Sequence, residues 1–424
     1  MWRLLYLDAV VARRLRSFFM FDVSAVRSHF PALRRTIAGV PAVYVDGPGG
    51  TQVPDVVIEA IAGHLGSGTA NLGGTFATSV ETNEIVASAR SAISDLFNAA
   101  PAEIAFGQNM TSLTLAISRA IGARWAKGDN VVVTRLDHDA NIWPWVLAAR
   151  DAGAEVRWAD FDPERGCALH PDTIADIVDD RTKLVAVTHA SNAVGTIVDV
   201  GAVTEIAHSV GALSYVDAVH YTPHGPVDVK ASGCDFLVAS AYKFFGPHVG
   251  CMFGREDLLE SIDAYKIRPA PDEPPEKWET GTQSFEALAG AVAAVDYIAS
   301  LGDGASRRDR IESAMEGIAA HEQRLIARFL AGLAEMPGVR FYGVDGTQGR
   351  TPTFAVEVVG RDPAGVAAEL AEKGIFVWVG HYYALEVMQR LGKAAGGLIR
   401  IGFVHYNTVD EVDRVLAALE AALP

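Results

Sequence analysis

The sequence predicts an α/β fold, with a mostly parallel sheet covered by helices in a large domain and a smaller α+β domain after it. Two observations predict this. In the middle of the chain, short apolar runs alternate with helical patterns, as they do in βαβ units. From about residue 306 the pattern changes to one long amphipathic helix followed by short strands and helices.

Six apolar runs are the candidate strands of the large sheet. They are Val131–Thr134, Glu155–Trp158, Leu184–Thr188, Leu213–Val216, Phe236–Ala239 and Gly250–Phe253. The helices expected between them include Ile142–Ala152, Pro171–Val178 and Val200–Val210. Strands that are apolar throughout are buried on both faces, which is typical of parallel sheets.

The second part of the chain predicts the small domain. Its expected helices are Arg307–Met336, Pro363–Lys373 and Thr408–Leu423, and its expected strands are Val339–Tyr342, Thr353–Val359, Ile375–Val379 and Leu398–Phe403. We therefore expect a large domain at residues 46–300 and a small one at residues 301–424. The segment 21–45 is expected to pack on the small domain. Residues 1–20 contain four arginines and only short uncharged stretches, so we interpret them as a disordered extension rather than a signal peptide or membrane span.

Composition excludes several classes of function. The net charge is −16, which argues against a nucleic-acid surface and against binding to an anionic membrane. The three cysteines, Cys167, Cys234 and Cys251, have no CxxC spacing. Neither a disulfide framework nor a metal site is therefore expected, and the cytoplasm is the expected compartment.

Polar clusters follow four consecutive candidate strands. They are Asp137-His138-Asp139, His189-Ala190-Ser191-Asn192, Asp217-Ala218-Val219-His220 and Ser240-Ala241-Tyr242-Lys243. Ligands of such sheets bind beyond the carboxyl ends of the strands. The four clusters together therefore predict one site at this edge of the sheet.

Lys243 and Asp217 suggest a covalent cofactor. A lysine amine forms a Schiff base with an aldehyde, most commonly that of pyridoxal 5'-phosphate (PLP), and a carboxylate then keeps the pyridine nitrogen protonated. Asp217 closes one strand, and Lys243 follows another 26 residues later. Taken alone, the pair is also compatible with a helix-capping aspartate and a surface lysine.

The strand-end clusters, in this order, resemble those of fold-type I PLP enzymes. The closest resemblance is to the class V aminotransferase family, in its cysteine desulfurase and selenocysteine lyase branch, and it runs from Phe21 to the C-terminus. The resemblance implies a fold-type I transferase fold, PLP as cofactor, an α-amino acid substrate and a homodimer with shared active sites.

Individual roles follow from the resemblance. Lys243 corresponds to the Schiff-base lysine, Asp217 to the partner of the pyridine nitrogen, and His138 to the histidine that stacks on the cofactor ring. His220 and Asn192 correspond to residues beside the phenolic oxygen of the cofactor, and Asn192 also to a contact of the substrate carboxylate.

Other matching residues are implied to bind the two anionic groups. Thr111, Ser240 and Tyr242 correspond to phosphate contacts, and Thr282 to a contact with the phosphate in the partner subunit. Without the resemblance, Thr111 or its neighbour Ser112 would read as an ordinary helix cap. Arg400 matches the arginine that binds the substrate carboxylate, for which a planar guanidinium is well suited.

The departures from the family pattern concern the reaction. Tyr383 occupies the place of the nucleophilic cysteine of desulfurases, where we expect it to contact substrate, and Trp378 replaces an arginine. Tyrosine cannot carry a persulfide. We therefore expect a C–S β-lyase or an aminotransferase, with an amino-acid racemase or epimerase, or a non-catalytic PLP-binding dimer, as the alternatives.

Overall fold

The computed structural model describes residues 21–424. The extension expected at residues 1–20 lies outside these residues. Within the described part, the fold is α/β and contains a large seven-stranded sheet, a smaller four-stranded sheet and two two-stranded sheets. No helix in residues 21–424 is long and apolar enough to cross a membrane.

The strands of the described residues are numbered β1 to β15 in chain order. They are Thr36–Ile37, Val40–Pro41, Val43–Tyr44, Ile104–Gly107, Asn130–Thr134, Glu155–Ala159, Thr182–Thr188, Leu213–Asp217, Phe236–Ser240, Gly250–Gly254, Val339–Tyr342, Thr353–Val358, Ile375–Phe376, Trp378–Gly380 and Leu398–Gly402.

The α-helices are numbered α1 to α14 in the same way. They are Val23–Ser28, Asp55–Ser67, Ala77–Phe97, Met110–Gly122, Trp143–Ala152, Asp172–Ala175, Val200–Ser209, Val229–Ser232, Glu256–Ser261, Phe285–Ser300, Arg307–Ala334, Pro363–Glu372, Leu385–Arg390 and Val409–Glu420.

The large sheet has the strand order β4-β10-β9-β8-β7-β5-β6. The five strands from β9 to β6 are parallel, whereas β10 pairs antiparallel with both β4 and β9. The predicted mostly parallel sheet is confirmed. Strand β4 was not anticipated, because its four residues are too short a run to stand out between two helical patterns.

Both faces of this sheet are buried, as the continuous apolar runs predict. Val131 and Val133 of β5 belong to the apolar cluster under α4 and α5, whereas Val132 belongs to the cluster on the opposite face. Successive side chains of a strand point to opposite faces. By the same alternation, Asp217 at the end of β8 and Ser240 at the end of β9 lie on the face covered by α4 and α5.

The smaller sheet has the order β11-β12-β15-β14, and α11 and α14 cover its core. The single strand expected at Ile375–Val379 is two strands: β13 pairs in parallel with β3, and β14 pairs antiparallel with β15. Through β3, the N-terminal segment joins this part of the molecule. The domain boundaries at residues 45 and 300 stay a prediction.

One expected helix is much shorter than its pattern suggests. The helix anticipated at Pro171–Val178 is confined to Asp172–Ala175, and Ile177 continues in a tighter turn by donating its N–H to Ile174. Two β-branched residues followed by two aspartates favour helix poorly, so the helix ends early.

Candidate active site

One pocket of about 680 Å³ lies at the carboxyl ends of β5, β7, β8 and β9, and β14 and β15 of the smaller sheet form its opposite wall. It gathers most of the residues that the sequence singled out. Those lining it are Thr111, His138, Asn192, Asp217, His220, Tyr242, Lys243, Tyr383 and Arg400. Ser240 lies directly behind this lining, and Thr282 does not line the pocket.

Lys243 enters the pocket from a single 3-10 turn, Ala241–Lys243, that follows β9 directly. Its Nζ donates to the carbonyl oxygen of Pro48. Burial, together with the positive charge of Arg400, lowers the pKa of the Lys243 amine to about 7. An appreciable fraction of the amine is therefore neutral near pH 7, and only the neutral amine is a nucleophile or a base.

The neutral amine gives a prediction about pH. Lys243 in the cofactor-free protein should react with acetic anhydride in a pH-dependent manner, with half of its maximal rate near pH 7 and a plateau above it. Peptide mass mapping at a series of pH values measures this rate, with the exposed Lys373 as the internal reference. A rate for Lys243 that is still rising steeply at pH 9 would contradict the lowered pKa.

Asp217 is the buried last residue of β8. Its Oδ1 accepts a hydrogen bond of 2.9 Å from the N–H of Val219. Burial raises the pKa of the carboxyl to about 6, although the Lys243 charge opposes the rise. The carboxyl group is therefore mostly ionised at pH 7. Its register partner on β7 is Thr188, a pocket residue that the sequence reasoning missed although it too ends a strand.

His138 presents a neutral ring to the pocket. Its Nδ1 accepts a 3.0 Å hydrogen bond from the N–H of Ala140, so Nε2 carries the proton. Burial lowers the pKa of His138 to about 3, with the charges of Lys243 and Arg400 adding to the effect. The ring is parallel, within 20°, to that of Tyr383, with the centroids 5.6 Å apart. A flat, neutral ring in this position is suited to stacking.

Arg400 points into the pocket because successive side chains of β15 face opposite sides of the smaller sheet. Ile399 and Ile401 face the core of the smaller sheet, so Arg400 between them faces the other way. Its Nη1 donates 3.1 Å to the carbonyl oxygen of Asn192, and its guanidinium lies 4.6 Å from the centroid of the Tyr382 ring. Burial lowers its pKa to about 10, so Arg400 remains charged near neutrality.

Two buried polar atoms beside Arg400 lack partners among residues 21–424. They are the Nε of Arg400 itself and the Oδ1 of Asn192. The Nδ2 of Asn192 is occupied, since it donates 3.0 Å to the carbonyl oxygen of Tyr382. Buried polar groups are normally hydrogen-bonded, so unpartnered ones on pocket-lining residues indicate a polar ligand.

His220 is held by residues that the sequence reasoning missed. Its Nε2 lies 2.9 Å from the Oγ1 of Thr353 and 3.2 Å from the Oγ1 of Thr351. Burial lowers its pKa well below the usual value, so the ring is neutral. The two threonines lie more than 130 residues further along the chain, and no local pattern connects them with His220.

The end of the pocket near α4 has the donors that suit a phosphate. The cap of α4 is Asn109, whose Oδ1 accepts 2.9 Å from the N–H of Ser112, so the reading of Thr111 or Ser112 as the cap is wrong. Thr111 lies in the first turn and lines the pocket. Ser240 accepts 2.9 Å from the N–H of Met110, which leaves its own hydroxyl proton to donate. Helix N-termini with such donors are common phosphate sites.

Of the two remaining predicted residues, Tyr242 lines the pocket and Thr282 does not. The ring of Tyr242 stacks on that of His248 at 4.6 Å, and its face also borders the pocket. Thr282 is exposed to solvent and lies away from the pocket of its own chain.

None of the three cysteines lines the pocket, and all three are buried. Burial raises the pKa of Cys167 and of Cys234 to about 12, and that of Cys251 further. Reactive cysteines are exposed and ionise readily, so these side chains are packing residues. The pocket loop instead carries Tyr383, whose side chain is 68% exposed.

The residues present fit PLP. An amine with a lowered pKa lies beside an ionised buried carboxylate, and a neutral histidine ring borders the same space. Hydroxyl and amide donors lie at the N-terminus of α4, and the charged Arg400 has an unpartnered Nε. These are the groups required by an aldehyde, a pyridinium, an aromatic ring, a phosphate and a substrate carboxylate.

A family model, aminotransferase class V, matches residues 43–415. The chain belongs to the class V aminotransferase family. Members of this family use PLP, and the chain is accordingly a PLP-dependent enzyme. The resemblance stated from the sequence is thereby confirmed, and so is the fold-type I architecture.

Relatives of this class V enzyme carry different names. A probable cysteine desulfurase of Mycolicibacterium paratuberculosis is 31% identical over 94% of this chain, which spans only 58% of that protein. An aminotransferase-like protein of Gibberella zeae is 30% identical over 95% of this chain and 99% of its own length. The solved structure of a cysteine desulfurase from Thermococcus onnurineus NA1 superposes with a TM-score of 0.85 at 28% identity, covering 94% of this chain and 98% of that one.

Proposed function

We propose that this class V enzyme acts on an α-amino acid by removing its Cα proton, followed by a C–S β-elimination or an amino transfer. The observation that carries the proposal is the pocket itself. An amine with a lowered pKa and a charged guanidinium with an unpartnered Nε border the same space. An amino acid presents a carboxylate to the second group and an acidic Cα–H to the first.

PLP, when bound, withdraws electrons from the substrate's Cα and makes its proton acidic. In the proposed mechanism, Lys243 holds the cofactor before substrate arrives. The amine of Lys243 then takes the Cα proton, and a pKa near 7 suits a base that works at neutral pH. Arg400 binds the substrate carboxylate through a bidentate contact.

Other residues orient the two molecules. With PLP bound, Asp217 would hold a proton on the pyridine nitrogen, His138 would lie against the ring, and His220 and Asn192 would bind the phenolic oxygen. Thr111, Ser240 and Tyr242 would hold the phosphate, and Tyr383 would border the substrate. The ionised carboxyl group of Asp217, the neutral ring of His138 and the free hydroxyl proton of Ser240 support three of these proposed roles.

We also propose a homodimer with shared active sites. Thr282 is exposed and lies apart from the pocket of its own chain, which supports a contact with the cofactor of a second subunit. Cytoplasmic location stays a prediction.

Replacing Asp217 should impair turnover more than binding. Asp217→Asn keeps the size of the side chain but loses the charge that keeps the ring protonated. A hydrogen bond to a charged group contributes about 1.5–3 kcal/mol, so kcat should fall about 10- to 100-fold. Steady-state kinetics measure this, with PLP content as the folding control. A variant with the wild-type kcat would assign the ring nitrogen to a different residue.

Turnover of a sulfur-bearing amino acid should not require a cysteine of this chain. A variant with all three cysteines replaced by Ser or Ala should retain most of the turnover of a sulfur-bearing amino acid, once its folding is verified by circular dichroism. Sulfur should leave as sulfide or as a small persulfide in solution. A persulfide found on Cys167, Cys234 or Cys251 during turnover, with activity lost on its removal, would restore a desulfurase mechanism.

A panel of amino acids tests the proposed function directly. The holoenzyme is incubated with each amino acid, and sulfide, pyruvate and ammonia are measured beside amino transfer to added keto acids. We expect at least one amino acid to change the cofactor absorbance and to give products. Complete absence of spectral change and products would favour a non-catalytic PLP-binding dimer, and inversion at Cα as the only outcome would favour a racemase.

A further inference from the structure

Three large aromatic side chains are exposed at the pocket. Trp143 is 51% exposed, Trp378 is 53% exposed and Tyr383 is 68% exposed, and all three line the same cavity. Most other large apolar side chains of the described residues are buried in the core. Apolar surface is unfavourable in water, so a ligand that covers these rings gains affinity from the area it buries.

The chain holds two of these rings in defined positions. Trp378 on β14 is the direct register partner of Arg400 on β15. Side chains directly opposite on antiparallel strands lie on one face, with Cβ atoms about 4.5–5.5 Å apart. Residue 49 is a glycine, and a Cβ there would collide with the Trp378 indole. The indole therefore lies close to the proposed carboxylate site, packed against a backbone that leaves room for it.

Tyr383, the second of these rings, forms another part of the pocket wall. Its ring lies against that of His138, and its carbonyl oxygen accepts a 2.7 Å hydrogen bond from the N–H of Asp139. Trp143 begins α5, which is preceded by the turn that carries His138. The aromatic surface is therefore continuous with the groups assigned to the cofactor and to the substrate carboxylate.

Among the described residues of one subunit, the only lysine and arginine that line the pocket already have proposed roles. The charged residues that line it are Asp139, Asp217, Lys243 and Arg400. Both cations already have proposed roles, with the cofactor and with the α-carboxylate. An acidic substrate side chain would meet Asp139, and no further lysine or arginine among the described residues lines the pocket to offset its charge, which is costly to move out of water.

We propose that the pocket selects α-amino acids with a bulky, uncharged, apolar side chain, and that Trp378, with Trp143 and Tyr383, determines this preference. The inference rests on the proposed function, because it takes Arg400 as the anchor of the α-carboxylate. It adds the substrate class, which neither the family nor the cofactor chemistry specifies.

Unreactive carboxylates test the preference without turnover. Binding of 3-phenylpropanoate, propanoate and butanedioate to the holoenzyme is measured by isothermal titration calorimetry. In hydrophobic pockets even one methylene changes affinity about tenfold, so 3-phenylpropanoate should bind at least about tenfold more tightly than propanoate. Trp378→Ala should remove most of that ratio, and Trp378→Phe should keep it. Trp125→Phe, outside the pocket, is the control.

Equal affinities for 3-phenylpropanoate and propanoate, or a ratio unchanged in Trp378→Ala, would overturn the inference. Tighter binding of butanedioate than of 3-phenylpropanoate would overturn it as well.

A second measurement separates this inference from the proposed function. Proton NMR in D₂O follows the loss of the Cα–H signal, here called exchange, which includes both replacement by deuterium and conversion to product. L-phenylalanine should exchange with a kcat/KM at least about tenfold above those of L-alanine, L-aspartate and L-lysine. Faster exchange of alanine, aspartate or lysine would overturn the selectivity alone. Exchange of no amino acid at all would contradict the proposed function and the inference together.

Discussion

Lys243→Ala should abolish turnover and remove the yellow colour of the bound cofactor. The side chain has two proposed tasks, holding the cofactor and taking the Cα proton, and no other lysine lines the pocket in the described residues. A positioned acid–base group alone contributes roughly 10²- to 10⁴-fold to rate. We expect kcat/KM to fall by at least that factor. Activity on the amino acid panel and the visible absorbance of dialysed protein are the measurements.

A matched variant separates this effect from general damage. Lys230 is exposed and remote from the pocket, with its Nζ 3.3 Å from the Oδ1 of Asn98. Lys230→Ala should keep the colour and the activity of the wild type. If Lys243→Ala retains activity, Lys243 is neither the cofactor lysine nor the base. If an added primary amine restores turnover by Lys243→Ala but does not increase turnover by the wild type or by Lys230→Ala, the role of Lys243 as the base is supported.

Arg400→Gln should have the second-largest effect, on the recognition of the carboxylate. Glutamine keeps a polar side chain but lacks the charge and the paired donors of guanidinium. Hydrogen bonds to charged groups contribute about 1.5–3 kcal/mol each, and a bidentate contact has two. The loss in kcat/KM for amino acids should therefore be roughly 10²- to 10⁴-fold, mostly as a rise in KM. The kcat/KM of Arg400→Lys should lie between those of Arg400→Gln and the wild type.

A substrate without the carboxylate provides the control for Arg400. The wild type should strongly prefer an amino acid to the corresponding decarboxylated amine. Arg400→Gln should lose most of this preference, which structural damage alone would not produce. If the variant keeps the preference, the carboxylate binds elsewhere in the pocket.

The sequence predicted the site residues that directly follow predicted strands. Asp217, His138 and Lys243 follow apolar runs, and parallel strands bring the carboxyl ends of such runs to one edge. Arg400 was predictable from its place between Ile399 and Ile401, because alternation turns it away from their core.

Contacts between distant segments were not predictable in this way. Thr351 and Thr353 meet His220 only because the smaller sheet closes over the large one. Trp378 lies opposite Arg400 because the run at residues 375–379 divides into two strands with different partners, a division that hydrophobic alternation does not encode. The aromatic wall of the pocket therefore appeared only in the folded structure.

The most direct test of the account is the location of the cofactor. Reduction of the holoenzyme with borohydride fixes the pyridoxyl group on the amine that holds it, and proteolysis with mass mapping then identifies that residue. We expect a single labelled lysine, Lys243, with the label absent from Lys243→Ala. A stoichiometric label on Lys230, Lys266 or Lys277, with Lys243 unmodified, would contradict the assignment of the active site.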